Sequence, residues 1–278
     1  MSISPATKLY AVVGDPVAHS LSPLIHNRWL HEAGIDAVYV ALHLKSPDPA
    51  ADLRALARAG YSGLNITLPH KVAALASAGS ASPEARQVGA ANTLVRENGG
   101  DWIAHNTDVD GFSLAMAHAL GADPRGRRVV LIGAGGAARA AALHLAQRGV
   151  ELAIVNRSKA NADALAKALA PGAETADLGD LNSLAERADI VVNSASLGHV
   201  GASLPELPAG KGRPFLDLSY GKAARDTLAA ARAAGWAPHD GLRMLVGQAA
   251  AAFRIWFAQS PDMNGALSAC EAIVAVRG

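Results

Sequence analysis

Lys71 and Asp108 are two side chains of this sequence whose types and settings suit proton transfer. Lys71 closes the run Asn65-Ile66-Thr67-Leu68-Pro69-His70-Lys71, an apolar strand pattern that turns polar before a helix. The helix dipole opposes a cation in a first turn, so this lysine asks for a reason beyond solvation. Asp108 ends a second cluster, Asn106-Thr107-Asp108, just before a predicted helix. Opposite Lys71 it would hold the ammonium and complete an acid/base pair; alone it would serve as a helix cap. Ser20 and Ser22 lie two residues apart in Gly14-Asp15-Pro16-Val17-Ala18-His19-Ser20-Leu21-Ser22-Pro23. An extended backbone there turns both hydroxyls the same way, although Ser22-Pro23 also fits an N-cap followed by a first-turn proline. Asn92-Thr93 is a further polar pair after an apolar run. Ligands of parallel α/β sheets bind at the carboxyl ends of the strands, which is where these clusters fall.

The chemistry they could share is suggested by Arg128 to Ser158, RVVLIGAGGAARAAALHLAQRGVELAIVNRS. An apolar run feeds Gly133-Ala134-Gly135-Gly136-Ala137, an alanine-rich helix follows, and a second apolar run ends on Asn156-Arg157-Ser158-Lys159. Strand, glycine turn, helix and strand in this order form a dinucleotide-binding unit. Gly133 permits the tight turn, Gly135 leaves the phosphates unobstructed, and Ala138 lets the helix pack closely on its strand. The pyrophosphate would sit on the amides at the helix N-terminus. An NAD site usually carries an acid at the end of the second strand; the basic residues here predict a 2′-phosphate and hence NADP. A nicotinamide then supplies the hydride chemistry, and the polar clusters supply the proton and the substrate contacts.

The elements that must position these residues read as α/β. Strands are predicted over 9–14, 37–44, 63–68, 90–96, 102–105, 129–132, 190–192 and 215–218, and helices over 22–33, 50–59, 109–120, 159–170, 181–187 and 223–234. The turn at 97–101 makes a hairpin of the fourth and fifth strands. Two C-terminal helices split by Ser260-Pro261-Asp262 follow from Leu242, the first carrying Leu245, Ala249, Phe253 and Trp256 on one face. With 278 residues, two domains are expected: 1–108 with 242–278 for the substrate, and 109–241 as a Rossmann domain, with a cleft between them. The net charge of +1, without basic blocks, argues against nucleic acid. The single cysteine, Cys270, suits a reducing compartment. No membrane span, signal peptide or His/Cys metal spacing is visible, so a cytoplasmic, metal-free protein is expected.

GDPVAHSLSPLIHN, NITLPHK, GAANT, NTDVDGF, GAGGAAR, NRS and GLRMLVGQAAAAF resemble, in order, the motif series of the shikimate dehydrogenases. The resemblance covers nearly the whole chain. It implies reversible NADP-linked reduction of 3-dehydroshikimate to shikimate by a monomer or homodimer, with Lys71 and Asp108 as the catalytic pair. It implies that Ser20 and Ser22 bind the substrate carboxylate, with Tyr220 nearby, and that Thr67, Asn92, Asp108 and Gln248 bind the ring hydroxyls. Leu218 and Gly241 join the cofactor residues on the same ground. A quinate/shikimate enzyme or a paralogue with relaxed cofactor use is the near alternative; a non-catalytic dinucleotide sensor is the distant one. Three positions depart from the family pattern: Asn193-Ser194-Ala195-Ser196 lacks a threonine, Asn161 replaces a second basic residue, and Arg243 adds bulk.

Overall fold

The computed structural model describes residues 3–97, 100–195 and 204–277. The chain forms two compact units, Met1–Asp108 with Gln248–Cys270, and Val109–Gly247 with Glu271–Gly278. Leu242–Gly247 and Glu271–Gly278 therefore belong to the second unit, whereas the sequence reading assigned all of 242–278 to the substrate domain. The physical reason is that the two long C-terminal helices each run past a unit boundary.

The first unit is built from β1 (Lys8–Gly14), α1 (Ser22–Glu32), β2 (Ala37–His43), α2 (Pro49–Arg58), β3 (Tyr61–Ile66), α3 (Lys71–Ser77), β4 (Ser80–Ala81), α4 (Pro83–Val88), β5 (Thr93–Arg96) and β6 (Trp102–His105). Its sheet runs β2-β1-β3-β5-β6-β4. β1, β2 and β3 are parallel, and the β5–β6 hairpin adds antiparallel to β3. Residues 98 and 99 of the expected turn lie outside the described residues. Ala11, Val13, Leu53, Leu64, Leu94 and Trp102 fill one core. α4 was not foreseen, because six residues are too few for a helical period to register. It starts at Pro83, with Ser82 Oγ accepting the Ala85 amide, and stops at Gly89 with φ +70°.

The second unit contains α5 (Asp108–Leu120), whose first residue closes the first unit, β7 (Arg128–Ile132), α6 (Gly136–Gln147), β8 (Glu151–Val155), α7 (Lys159–Leu169), β9 (Glu174–Ala176), α8 (Leu181–Glu186), β10 (Ile190–Asn193), β11 (Pro214–Asp217), α9 (Lys222–Ala233) and β12 (Ala237–His239). The C-terminal helices are α10 (Leu242–Phe257) and α11 (Met263–Arg277). Every strand pairs in parallel, in the order β12-β11-β10-β7-β8-β9. That is the strand order of a dinucleotide-binding sheet, and the chain reverses direction between β7 and β10. Val129 and Leu131 feed one hydrophobic layer and Val130 and Ile132 the other, so β7 is apolar from Val129 to Ile132 because both faces are covered. β9 and β12 were missed: at three residues each they carry too little pattern.

Candidate active site

The polar clusters of the first unit meet at the carboxyl ends of β1 and β3 and around the hairpin. Lys71 opens α3, and its Nζ lies 2.6 Å from Asp108 Oδ2. Their side chains are only 17% and 6% exposed, which makes this a largely desolvated ion pair. Asp108 is itself the first residue of α5, and its second oxygen accepts from Asn92 Nδ2 at 2.9 Å. Its carboxylate thus faces Lys71 and Asn92, and the capping service falls to Asn106, whose Oδ1 accepts the Asp108 amide at 3.1 Å.

Asn92 is the hub. Its Nδ2 also reaches Thr107 Oγ1 at 3.0 Å and Gln248 Oε1 at 3.3 Å, and its Oδ1 accepts the Thr107 amide at 2.7 Å. Thr93 joins Asn92 and Thr107, each at 3.1 Å. From there Asn65 Nδ2 donates to Thr93 Oγ1 at 3.1 Å, and Tyr39 Oη donates to Asn65 Oδ1 at 2.7 Å. Burial pushes the Tyr39 phenol well above its ordinary range, so it stays a donor. Tyr39, Asn65, Thr93 and Thr107 thus form a buried polar framework behind Asn92 and Asp108, a burial that demands mutual hydrogen bonding. Asn65 stood out in the sequence as a polar residue in an apolar strand and Thr93 as the neighbour of Asn92, but nothing local marked Tyr39.

Thr67 is half-buried beyond β3, and its methyl explains Gly14: a Cβ there would lie 2.3 Å from Thr67 Cγ2. The capping reading of Ser22 is corrected. Ser22 is already the first helical residue of α1, the preceding Leu21 makes no side-chain cap, and Ser20 Oγ accepts the Ser22 amide at 3.2 Å. Proline at the second position is tolerated because its missing amide would have no partner within the first turn. Ser20 is half-exposed and Ser22 is buried, and Gln248 is buried within α10.

In the second unit, Gly133 follows β7 with φ +108°, and a Cβ on it would come within 2.6 Å of Ser194 Oγ after β10. Glycine is required there twice over. Gly135 precedes α6 in extended conformation and caps nothing with a side chain, and a Cβ on it would meet no atom within 4 Å. Free space beside uncapped helix amides is what a pyrophosphate needs, so these residues fit a dinucleotide. Ala134 completes the turn, Gly136 and Ala137 open α6, and Ala138 is fully buried against the sheet. At the end of β8, Asn156 Nδ2 donates to Ser158 O at 3.1 Å, Arg157 is exposed, and Lys159 Nζ lies 2.7 Å from Asp163 Oδ1.

As the last residues of β10 and β11, buried Asn193 and Asp217 join at 2.9 Å. Asn193 Oδ1 accepts the Ala195 amide and Asp217 Oδ1 the Ser219 amide, which orders both loop starts. Burial lifts the Asp217 carboxyl to about 6 against those bonds. Leu218 and Tyr220 are half-buried, and a Cβ on Gly241 would collide with Leu218 O at 2.2 Å. Ser196 lies outside the described residues. Among the described residues, no group of three His, Cys, Asp or Glu side chains could hold a metal, and no helix is long and apolar enough to cross a membrane.

Three family models match the chain: the shikimate dehydrogenase substrate binding domain over residues 12–94, shikimate/quinate 5-dehydrogenase over 115–201, and the shikimate 5′-dehydrogenase C-terminal domain over 241–262. The shikimate dehydrogenase (NADP(+)) of Hyphomonas neptunium is 48% identical over 268 residues, 96% of this chain and 98% of its own. That of Xanthomonas euvesicatoria pv. vesicatoria is 43% identical over 275 residues, 96% of each chain. The crystal structure of shikimate 5-dehydrogenase from Thermus thermophilus, in complex with NADP(H) and shikimate, superposes with a TM-score of 0.79 at 34% identity, covering 95% of this chain and 99% of that one.

Proposed function

The chain belongs to the shikimate dehydrogenase family, and from that premise we propose that it reversibly reduces 3-dehydroshikimate to shikimate with NADPH. One observation carries the reading: a desolvated Lys71–Asp108 pair, 2.6 Å apart, tied by Asn92 to a fully hydrogen-bonded polar framework. When bound, NADPH would supply a hydride for the substrate carbonyl carbon, and NADP+ would accept one in the reverse direction.

The protein handles the matching proton. As the ketone is reduced, the Lys71 ammonium donates a proton to the oxygen that becomes the hydroxyl, and in oxidation the lysine amine takes it back. Asp108 keeps the ammonium aimed and balances its charge. Asn92, Thr67 and Gln248 offer amides and a hydroxyl to the ring hydroxyls, while Ser20 and Ser22 accommodate the carboxylate, with Tyr220 as a further contact. Gly133, Ala134, Gly135, Gly136 and Ala137 cradle the pyrophosphate. Arg157 and Lys159, with Asn156 and Ser158, take the 2′-phosphate, and Leu218 and Gly241 border the nicotinamide.

A second reading, oxidation of quinate as well, is favoured by the match of residues 115–201 to the shikimate/quinate 5-dehydrogenase family model. Initial rates with shikimate and quinate, each with NADP and NAD, test both. The account expects the highest kcat/KM for shikimate with NADP. Faster turnover of quinate would transfer the assignment to the second reading. Dinucleotide binding without turnover of either acid would make the chain a sensor.

A further inference from the structure

The 2′-phosphate side of the dinucleotide site contains an acidic residue that the proposed reaction does not use. Lys159 is the first residue of α7, where the helix dipole disfavours a cation. Its ammonium is tied there by Asp163, one turn on, at 2.7 Å, and by Thr175 Oγ1 of β9 at 3.1 Å. Thr175 donates to the same Asp163 oxygen at 2.5 Å, so a single carboxylate oxygen gathers both groups. The hydrogen bond from Lys159, followed by that from Thr175, holds the Asp163 carboxyl below the usual carboxylate range. Lysine preceding the acid is the weaker order for such a pair on a helix, and the two side chains are 53% and 50% exposed. The tie is therefore one that a more highly charged anion can break. Asn161, on the same first turn, contributes no charge, so within the run 156–161 the cations are Arg157 and Lys159.

We propose that Asp163 is a specificity-determining residue: by holding Lys159 to α7 and β9 it lowers the positive charge available to the 2′-phosphate and narrows the preference for NADP over NAD. The inference rests on the reading of Arg157 and Lys159 as the 2′-phosphate contacts. A phosphate monoester with nearly two negative charges must draw Lys159 from Asp163. The 2′-hydroxyl of NAD has no charge with which to compete for it.

Asp163→Asn tests this through the ratio of kcat/KM for NADP to that for NAD. The expected result is a KM for NADP roughly two- to fivefold lower, the reach of an exposed charge pair, with the KM for NAD unmoved. The gain should shrink in high salt, where exposed charges are screened, and disappear in a Lys159→Ala background. A ratio unchanged by Asp163→Asn, equal shifts for both cofactors, or a full gain without Lys159 would each overturn the proposal. Arg157→Ala separates the two levels. If it leaves the NADP KM unchanged, the assignment of this surface to the 2′-phosphate fails. If it raises that KM while Asp163→Asn changes nothing, only the role of Asp163 fails.

Discussion

Asn92 carries more of the site's geometry than either member of the ion pair, because its amide touches Asp108, Thr107 and Gln248 together. Asn92→Ala would leave a buried carboxylate oxygen and the Thr107 amide without partners, a loss of about 1–3 kcal/mol in unfolding free energy. Urea titration should record that loss, and kcat should fall with it because Asp108 no longer aims Lys71. Unchanged stability together with unchanged kcat would show that the network around Asn92 is ornamental. The proposed site residues stand out in the sequence because a lysine in a first helical turn and asparagines at strand ends are poor structural choices without a task. Tyr39 does not, since a tyrosine in a strand is an ordinary β residue, and Thr93 shows only as the neighbour of Asn92. Only the sheet order, with β2 and β3 on either side of β1 and β5 beside β3, brings them to Asn65.

Among the elements, the turn between β7 and α6 separates the two uses of glycine. Gly133→Ala would force φ +108° on a residue with a Cβ and drive that Cβ into Ser194, at a cost of order 1–3 kcal/mol. Gly135→Ala meets open space with an ordinary φ of −82°, so thermal unfolding should be nearly unchanged. Its dinucleotide affinity should nevertheless fall, because the added methyl occupies the room left for the phosphates. A titration with NADP beside a melting curve checks both variants; a Gly135→Ala protein that binds NADP as well as the parent removes the pyrophosphate from this turn. Long elements with a clear period, such as the strand–turn–helix–strand run from Arg128, were readable from residue pattern alone. β4, β9 and β12 span two or three residues, too few for a period, and owe their existence to neighbouring strands.

Across the whole molecule, resistance to acid depends on buried histidines. His26 is fully buried, stacked on Tyr39 at 4.3 Å, and neither ring nitrogen finds a hydrogen-bond partner. Burial pulls its pKa down to about 3, against a small opposing influence from Asn65, and pulls that of His144 down to about 4. Both folded values lie below the unfolded value of 6.5, so their contribution is intact above pH 6.5 and is lost as the pH falls below it. Asp217, raised to about 6, acts in the opposite sense: its contribution is intact below 3.8 and is lost as the pH rises through 6. Between pH 6.5 and 5, His26 alone accounts for about 2 kcal/mol of lost stability. Denaturant midpoints at pH 7 and 5 should therefore converge in His26→Phe, and an acid loss as large as the parent's would contradict this origin. The central claim is that Lys71, held by Asp108, moves the proton of an NADP-linked reaction on shikimate. Lys71→Ala tests it most directly, by absorbance at the reduced-nicotinamide band beside a shikimate binding isotherm. A fall in kcat of about 10²- to 10⁴-fold is expected with shikimate still bound; turnover at the parent rate would show that the proton moves without Lys71.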